Sequence, residues 1–278
     1  MASFSKLNSA VLVGLHARHV LVESFVDAQA VIHEIDIVGL GDTAIKESKK
    51  RVKSAIASNN LGIPQGRIVI NLAPGNLKKE GTLLDLPIAV SILACGDGVE
   101  REIPPGLFFF GELGLDGALR RVQGMLPLLI ALSQSKEPRT IVIPQENAEE
   151  AKLVPDIDIR LASHLREVLA YLNGNPLPRA STDDCPEPEA PVEEDFSEIH
   201  GQFQAKRALE IAAAGGHNVL MKGPPGSGKT MLAKRLPGLL PPLSEEEFLE
   251  TASLYSIVGL LNPKILGRQR PSRSPHHS

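Results

Sequence analysis

The sequence has no tryptophan, only two tyrosines and eight phenylalanines, and only two cysteines among its 278 residues. Proteins that hold single strands by base stacking present several aromatic side chains, so a stacking surface is not expected here. Cys95 and Cys185 lie far apart and show no metal-ligand spacing. Since a single disulfide between them could not stabilise a chain of this size, the two cysteines indicate a reducing, cytoplasmic environment.

Long apolar runs are also missing. No uninterrupted stretch reaches the ~18 apolar residues that a membrane span needs, and the first residues lack the basic flank and apolar core of a signal peptide. The sequence therefore predicts no membrane association. Its formal net charge of −4 argues against coating nucleic acid by bulk charge but leaves room for a local basic surface.

A change in composition divides the chain. Asn173 to Pro178 contains glycine and prolines that end a preceding helix, and an acidic, proline-rich stretch follows it. Such a stretch has little to bury and repels itself. It predicts an extended linker at 176–196 between domains at 1–175 and 197–278; the alternative is a long surface loop within one domain.

The segment before the linker alternates between strand-like and helix-like patterns, which predicts a mixed α/β domain with undetermined strand order. One residue, Asp85, is placed to cap a buried helix. The predicted strands are 10–15, 20–26, 67–72, 106–113 and 140–143, and the predicted helices are 42–58, 85–94, 123–134 and 148–153.

After the linker, the pattern predicts a helix at 202–214, a short buried strand at 217–221 and a helix at 229–236. His217 and Asn218 stand at the entrance of that strand. They are interpreted either as polar residues at the protein surface or as residues near a nucleotide, since 199–202 and His217 lie close in sequence to the glycine-rich loop that follows.

That loop matches the pattern G-x-x-x-x-G-K-[ST] between a predicted strand and a predicted helix. Its residues are Gly223, Pro224, Pro225, Gly226, Ser227, Gly228, Lys229 and Thr230. Glycines let successive backbone N–H groups turn towards phosphate oxygens. Lys229 is expected to reach the β- and γ-phosphates, and the Thr230 hydroxyl to ligate Mg²⁺. The loop thus predicts binding of a nucleoside triphosphate, ATP with Mg²⁺; the alternative is an ordinary glycine turn.

These residues resemble a known family. Ile199 to Asn218, running into Gly223 to Ala233, closely resembles the magnesium-chelatase-like AAA+ ATPases. In the first domain, Val38 to Val52, Asn71 to Pro74 and Lys79 to Ala89 are similar to the competence-associated ComM/YifB subfamily. The resemblance runs along nearly the whole chain.

The resemblance implies an α/β protein: an N-terminal domain like the proteolytic domain of Lon, with the ribosomal S5 domain 2-like α+β fold, followed by the first part of a P-loop AAA+ domain. It also implies hexameric rings in the family, doubtful for this chain alone. Its members look like ATP-driven DNA branch-migration helicases of natural transformation, so DNA is an expected partner of the full-length protein.

Lon-type proteases use a serine–lysine pair. By resemblance, the serine position falls at Leu83 and the lysine position near Leu128, within Met125 to Ile130, which contains no lysine. Leucine can neither attack a carbonyl nor move a proton. The first domain is therefore expected to be a non-catalytic scaffold without peptidase activity, and Thr82, the one hydroxyl between Gly75 and Leu86, has no evident base.

The resemblance also implies that the chain is truncated within the AAA+ module, without the acidic Walker B strand, the sensors or the arginine finger. ATP binding with little turnover is then expected, because phosphoryl transfer needs those groups. The carboxylates after Thr230, such as Glu245 and Glu247, are interpreted as helix-cap charges behind the N-cap Ser244.

Other interpretations stay open. The basic residues Lys264, Arg268, Arg270 and Arg273 form either a solvated loop or a surface that faces DNA phosphates. The alternatives for the function of the whole chain are a chelatase-type motor for metal insertion, an ATP-independent peptidase and a non-enzymatic fragment.

Overall fold

The computed structural model describes residues 3–30, 34–135, 139–181, 196–262, 268 and 270–273. The chain divides into two compact units, Met1–Cys185 and Pro186–Ser278, and each is described by itself. Most of the predicted linker, residues 182–195, lies outside the described residues, and so do Cys185 and Lys264. The predicted domain bounds therefore remain a prediction.

The described part of the first unit is built on a seven-stranded sheet. The strands of this sheet are β1 (Ser3–Val13), β2 (His16–Asp27), β3 (Ile35–Val38), β4 (Arg67–Ala73), β5 (Leu107–Phe109), β8 (Thr140–Pro144) and β9 (Asp158–Ala162), and a separate pair consists of β6 (Glu112–Leu113) and β7 (Leu119–Arg120). The order is β3-β4-β2-β1-β5-β8-β9. Within this sheet only the β1–β2 and β2–β4 pairs are antiparallel, so the central sheet of this α/β fold is mostly parallel.

Two of the five predicted strands include residues that lie outside the observed strands. The strand predicted at 10–15 is wrong at its end, because Gly14 takes a left-handed φ of 62° and starts the turn between β1 and β2. The strand predicted at 106–113 is interrupted between β5 and β6. There, Gly111 N–H donates to Leu83 O at 3.0 Å and Gly111 O accepts from Leu86 N–H at 3.0 Å. Backbone groups that bond to another segment cannot continue a sheet ladder.

Helices cover this sheet. They are α1 (Thr43–Ser58), α2 (Asp85–Ala94), α3 (Met125–Ser133), α4 (Ala148–Ala151) and α5 (Leu165–Leu172), with a 3₁₀ turn at Gln145–Asn147. α2 and α3 pack on β1 and β2, and α2 is buried over nearly its whole length. The predicted helices are thus confirmed, although α4 is shorter than the predicted 148–153. α1 begins after Asp42, whose Oδ1 accepts from Ile45 N–H at 2.9 Å.

Asp85 does not cap α2, so that prediction is wrong. The N-cap position belongs to Leu84 and has no side-chain bond, while Asp85 is fully buried. Its carboxylate accepts from Arg51 Nε at 2.6 Å, from Ser48 Oγ and from Leu113 N–H at 3.3 Å. Burial raises the pKa of Asp85 against the pull of these donors. The sequence signal was misleading because a carboxylate at a helix start can serve either a cap or a tertiary ion pair.

The last residues of the first unit cover the edge strand β9. Leu161 N–H donates to Pro178 O and Ala180 N–H to Ile159 O, both at 2.9 Å, and Leu177 is buried. This pairing extends into the segment that was predicted to be linker. A paired edge has fewer free backbone groups to offer to another chain.

The described part of the second unit is helical. Its helices are α6 (Phe203–Gly215), α7 (Lys229–Arg235) and α8 (Glu245–Ile257), with 3₁₀ turns at Phe196–Glu198 and Leu236–Leu239. Ile199, Leu209 and Leu232 form a small core. Ser244 Oγ accepts from Glu247 N–H at 3.2 Å and Ser244 N–H donates to Glu247 Oε2 at 3.0 Å, so the predicted N-cap is confirmed as a capping box.

The buried strand predicted at 217–221 is wrong. This segment has no strand pairing, and Leu220 is 94% exposed. A strand forms only when its backbone pairs with a neighbour, and the described residues of this unit contain no other strand. Among the helices of both described parts, none combines the length and the apolar character that crossing a membrane requires.

Candidate nucleotide-binding site

The glycine-rich loop lies directly before α7, as predicted. Gly226 has φ 79° and Gly228 has φ 80°, both in the left-handed region that disfavours residues with a Cβ. A Cβ at Gly226 would meet no atom within 4 Å. The backbone conformation, and not a lack of space, therefore requires glycine at this point.

Lys229, the first residue of α7, folds back over the loop. Its Nζ donates to Gly223 O at 2.9 Å and to Pro224 O at 2.8 Å, and lies 3.2 Å from Ser227 Oγ. Three oxygens from the loop itself thus hold one ammonium group. These neutral oxygens are weaker acceptors than an anion. An anionic ligand would therefore compete with them for the Lys229 ammonium.

Three other predicted site residues lie at the surface. Pro224 and Pro225 lie exposed at the outer part of the loop, and Thr230 is exposed on the first turn of α7. The structure describes no group of three or more His, Cys, Asp or Glu side chains that could hold a metal ion in the ranges it covers. Thr230 lies at the surface, where a residue that ligates a nucleotide-bound Mg²⁺ would have to lie.

Gln202 is a residue of this site that the sequence did not single out individually. It holds the N-cap position of α6 with φ 55° and ψ 31° and without a side-chain cap bond. Instead, its Nε2 donates to Ser227 O at 3.2 Å. The signal in sequence was only its nearness to the loop. His217, noted for the same reason, lies against Gly215.

The base of the loop is tied to the neighbouring elements. Arg235, at the end of α7, pairs with Glu198 at 2.7 Å, and Lys206 of α6 donates to Ile199 O. Ile199 and Leu232 belong to the same apolar cluster. Polar and apolar contacts together therefore hold α6 and α7 at fixed positions beside the loop.

Two positions of the first unit were assigned, by resemblance alone, to the catalytic pair of Lon-type proteases. Leu83 and Leu128 are both buried in its core. Thr82, for which no base was evident, donates to Glu112 Oε2 at 2.5 Å, a partner that sequence reasoning missed. A carboxylate is a weak base towards an alcohol because their pKa values lie far apart, so this contact does not by itself make a nucleophile.

A buried lysine lies in the same segment. Lys79 is fully buried, and its Nζ donates to Leu72 O at 2.8 Å and to Pro74 O. Burial lowers the pKa of this amine. Its two backbone acceptors give it a structural role, since they join the end of β4 to the segment before α2.

Comparison with known proteins places these features in a family. Two family models match: residues 22–147 match "Subunit ChlI of Mg-chelatase" and residues 195–278 match "Magnesium chelatase, subunit ChlI". The chain is 42% identical to the uncharacterized protein YifB of Salmonella typhimurium over 99% of its length, covering 54% of that protein.

Two further relatives have a similar coverage. The chain is 44% identical to the competence protein ComM of Haemophilus influenzae over 87% of its length, covering 48% of that protein. It is 38% identical to the uncharacterized protein Mb2921c of Mycobacterium bovis, over 93% of the chain and 51% of the relative. The chain thus spans about half the length of the curated relatives it matches. On these matches, it belongs to the magnesium-chelatase-like family that includes ComM and YifB.

Proposed function

We propose that residues 223–230 bind ATP with Mg²⁺. The observation that carries this proposal is the Lys229 ammonium, held at 2.8–3.2 Å by oxygens of a loop with two left-handed glycines. A β- or γ-phosphate would replace these neutral acceptors by charged ones, which form bonds roughly twice as strong. The residues present therefore fit a triphosphate.

Thr230 is the expected Mg²⁺ contact. It follows Lys229 directly on the first turn of α7 and its side chain is exposed. In loops of this pattern the hydroxyl ligates the Mg²⁺ that accompanies the phosphates. A Mg²⁺ held there would neutralise phosphate charge, and Lys229 would supply a further positive charge.

For the whole protein we propose an ATP-driven motor that acts on DNA, of which this chain is the ATP-binding portion. The first unit is proposed to be a non-catalytic Lon-like scaffold, because the positions of the catalytic pair carry Leu83 and Leu128, and the second unit to be part of an AAA+ module that assembles into a hexamer. One relative is named a competence protein, which supports a role in natural transformation; branch migration is proposed from the resemblance to the ComM/YifB subfamily.

A chelatase-type motor for metal insertion is the second candidate, supported by the names of both family models. The two candidates differ in what stimulates hydrolysis. Purified full-length relatives should hydrolyse ATP faster with branched or single-stranded DNA than without it. Stimulation by a porphyrin with Mg²⁺, and none by DNA, would favour the chelatase function.

Lys229→Ala tests the nucleotide site in this chain. Removal of the main charge partner of the β- and γ-phosphates should weaken Mg·ATP binding by about 2–3 kcal/mol, the scale of a charge-assisted bond. That corresponds to roughly a 30- to 150-fold higher Kd in titration calorimetry. Lys234→Ala, on the exposed part of the same helix, is the matched control and should bind like the wild type. Equal affinity of the wild type and Lys229→Ala would disprove the assignment.

A further inference from the structure

We propose that Gln202 is a positioning residue for the phosphate loop and fixes the direction of the Gly228 N–H group. The inference rests on the proposed ATP binding and adds a residue from outside the loop motif. It starts from one contact, the bond from Gln202 Nε2 to Ser227 O at 3.2 Å, which joins residues 25 positions apart in sequence.

The planar peptide explains how this contact acts on a phosphate. In a trans peptide the C=O and the following N–H point in opposite directions within one plane. Ser227 O and Gly228 N–H belong to the same peptide. A side chain that holds Ser227 O on one side therefore aims Gly228 N–H to the other, and such aligned N–H groups form the cradle for phosphate oxygens in loops of this kind.

The contact gains importance when the nucleotide binds. In the structure, Lys229 Nζ interacts with Gly223 O, Pro224 O and Ser227 Oγ. A phosphate that attracts this ammonium weakens those three interactions. The bond from Gln202 to Ser227 O does not involve this ammonium, so it remains as a restraint on the loop.

The backbone conformation of Gln202 distinguishes a role in positioning the loop from a role in the stability of the fold. Its φ of 55° is left-handed, a conformation that costs free energy in a residue with a Cβ and little in glycine. Its side chain is exposed and does not cap α6. Glycine would therefore suit the fold at least as well as glutamine, whereas only a side chain with a donor can reach Ser227 O.

Three variants of the full chain test the proposal. Gln202→Gly removes the side chain and relieves the left-handed backbone, and Gln202→Met keeps the length but removes the donor. Gln204→Met, on an exposed glutamine in the first turn of α6, is the matched control. Each is titrated with Mg·ATP and with inorganic tripolyphosphate, which has no base or ribose, and each is melted without ligand.

Loss of one neutral hydrogen bond should raise Kd roughly three- to tenfold in both Gln202 variants, for both ligands. The melting temperature of Gln202→Gly should stay within about 2 °C of the wild type or rise, and Gln204→Met should match the wild type throughout. Unchanged affinity in both Gln202 variants would overturn the inference, as would an affinity loss in Gln202→Gly that comes with a clearly lower melting temperature.

Tripolyphosphate distinguishes loop positioning from a contact to the nucleoside. A loss of ATP affinity with unchanged tripolyphosphate affinity would assign Gln202 to the base or ribose and overturn the inference. A wild-type chain that binds neither ligand would instead overturn the proposed ATP site itself, and the inference with it.

Discussion

The two units differ in how many of their large apolar side chains are exposed to solvent. The first unit, about twice as long as the second, has seven large apolar side chains exposed among its described residues, and the second has eight. Those of the second unit are Phe203, Ile211, Val219, Leu220, Met231, Leu254, Val258 and Leu260. The second unit therefore buries apolar surface much less completely for its size, and its stability depends more on local features such as caps.

Buried polar groups show the same contrast. In the first unit Asp85 pairs with Arg51 and the buried Glu150 pairs with Arg121 at 2.9 Å, which fixes helices to neighbouring segments. In the second unit, Lys229 is held by oxygens of an exposed loop. Segments that bind ligands are commonly among the less stable parts of a protein. The first unit is thus held by buried ion pairs, whereas the loop of the second unit can exchange its contacts for those of a ligand.

The largest expected effect is in the first unit. Asp85→Ala should lower its free energy of unfolding by about 3 kcal/mol, because it leaves the buried end of Arg51 without its carboxylate and Arg51 Nε and Leu113 N–H without their acceptor. Hydrogen–deuterium exchange in peptides from α2, followed across urea concentrations, measures this change. Peptides from α7 and α8 should exchange as in the wild type.

Asp97→Ala is the matched control, since Asp97 is exposed. Its effect should stay within about 0.5 kcal/mol. If Asp85→Ala were as mild as this control, the first unit would not depend on its buried ion pair, and the contrast between the units would lose its main support.

A medium effect is expected in the second unit. Ser244→Ala removes half of the capping box and should lower the stability of α8 by about 1 kcal/mol, read as faster amide exchange in 245–257. Glu250→Ala, at an exposed position of the same helix, is the control. Equal exchange in both variants would show that the cap does not stabilise α8.

The same cap gives a pH dependence. The bond from Ser244 N–H is the main cause of the lowered pKa of Glu247. A carboxylate with a lowered pKa in the folded state stabilises above its ordinary pKa, and this stabilisation is lost as the pH falls through the lowered value. Protection of α8 in the wild type should therefore decrease at acidic pH more than in Glu247→Gln, whose side chain does not titrate.

The smallest effect is expected at Leu220. Since this side chain is 94% exposed, Leu220→Ser should change the free energy of unfolding by less than about 0.5 kcal/mol, while binding of an apolar dye such as anilinonaphthalene sulfonate should decrease. A destabilisation above about 1 kcal/mol in urea would show that Leu220 is packed and that the second unit is better covered than described.

Local signals made much of the fold predictable. The periodicity of α1, the strand pattern of β4 and the cap at Ser244 depend on neighbours in sequence, and all three are confirmed. The sheet order could not be derived, because pairings such as Asn8 with Phe108 join distant residues. The strand at 217–221 failed for the same reason: its pattern is local, but its pairing is not.

The candidate site divides in the same way. Its eight residues are consecutive, so the motif alone predicted them together with the helix that follows. Gln202 and Glu112 were not found, because a single hydrogen bond across 25 or 30 residues leaves no spacing that a sequence pattern can show. Asp85 was assigned to a cap, since its partner Arg51 lies 34 residues away.

The pairing of residues 178–180 with β9 has a consequence for solubility. Open edges are where sheets of separate molecules join, and an uncovered edge strand such as β9 would be a template for such growth. To add a strand there, an incoming molecule must first displace Pro178 and Ala180 from their bonds and Leu177 from its buried position. The segment at the end of the first unit thereby hinders the addition of a β-strand from another molecule.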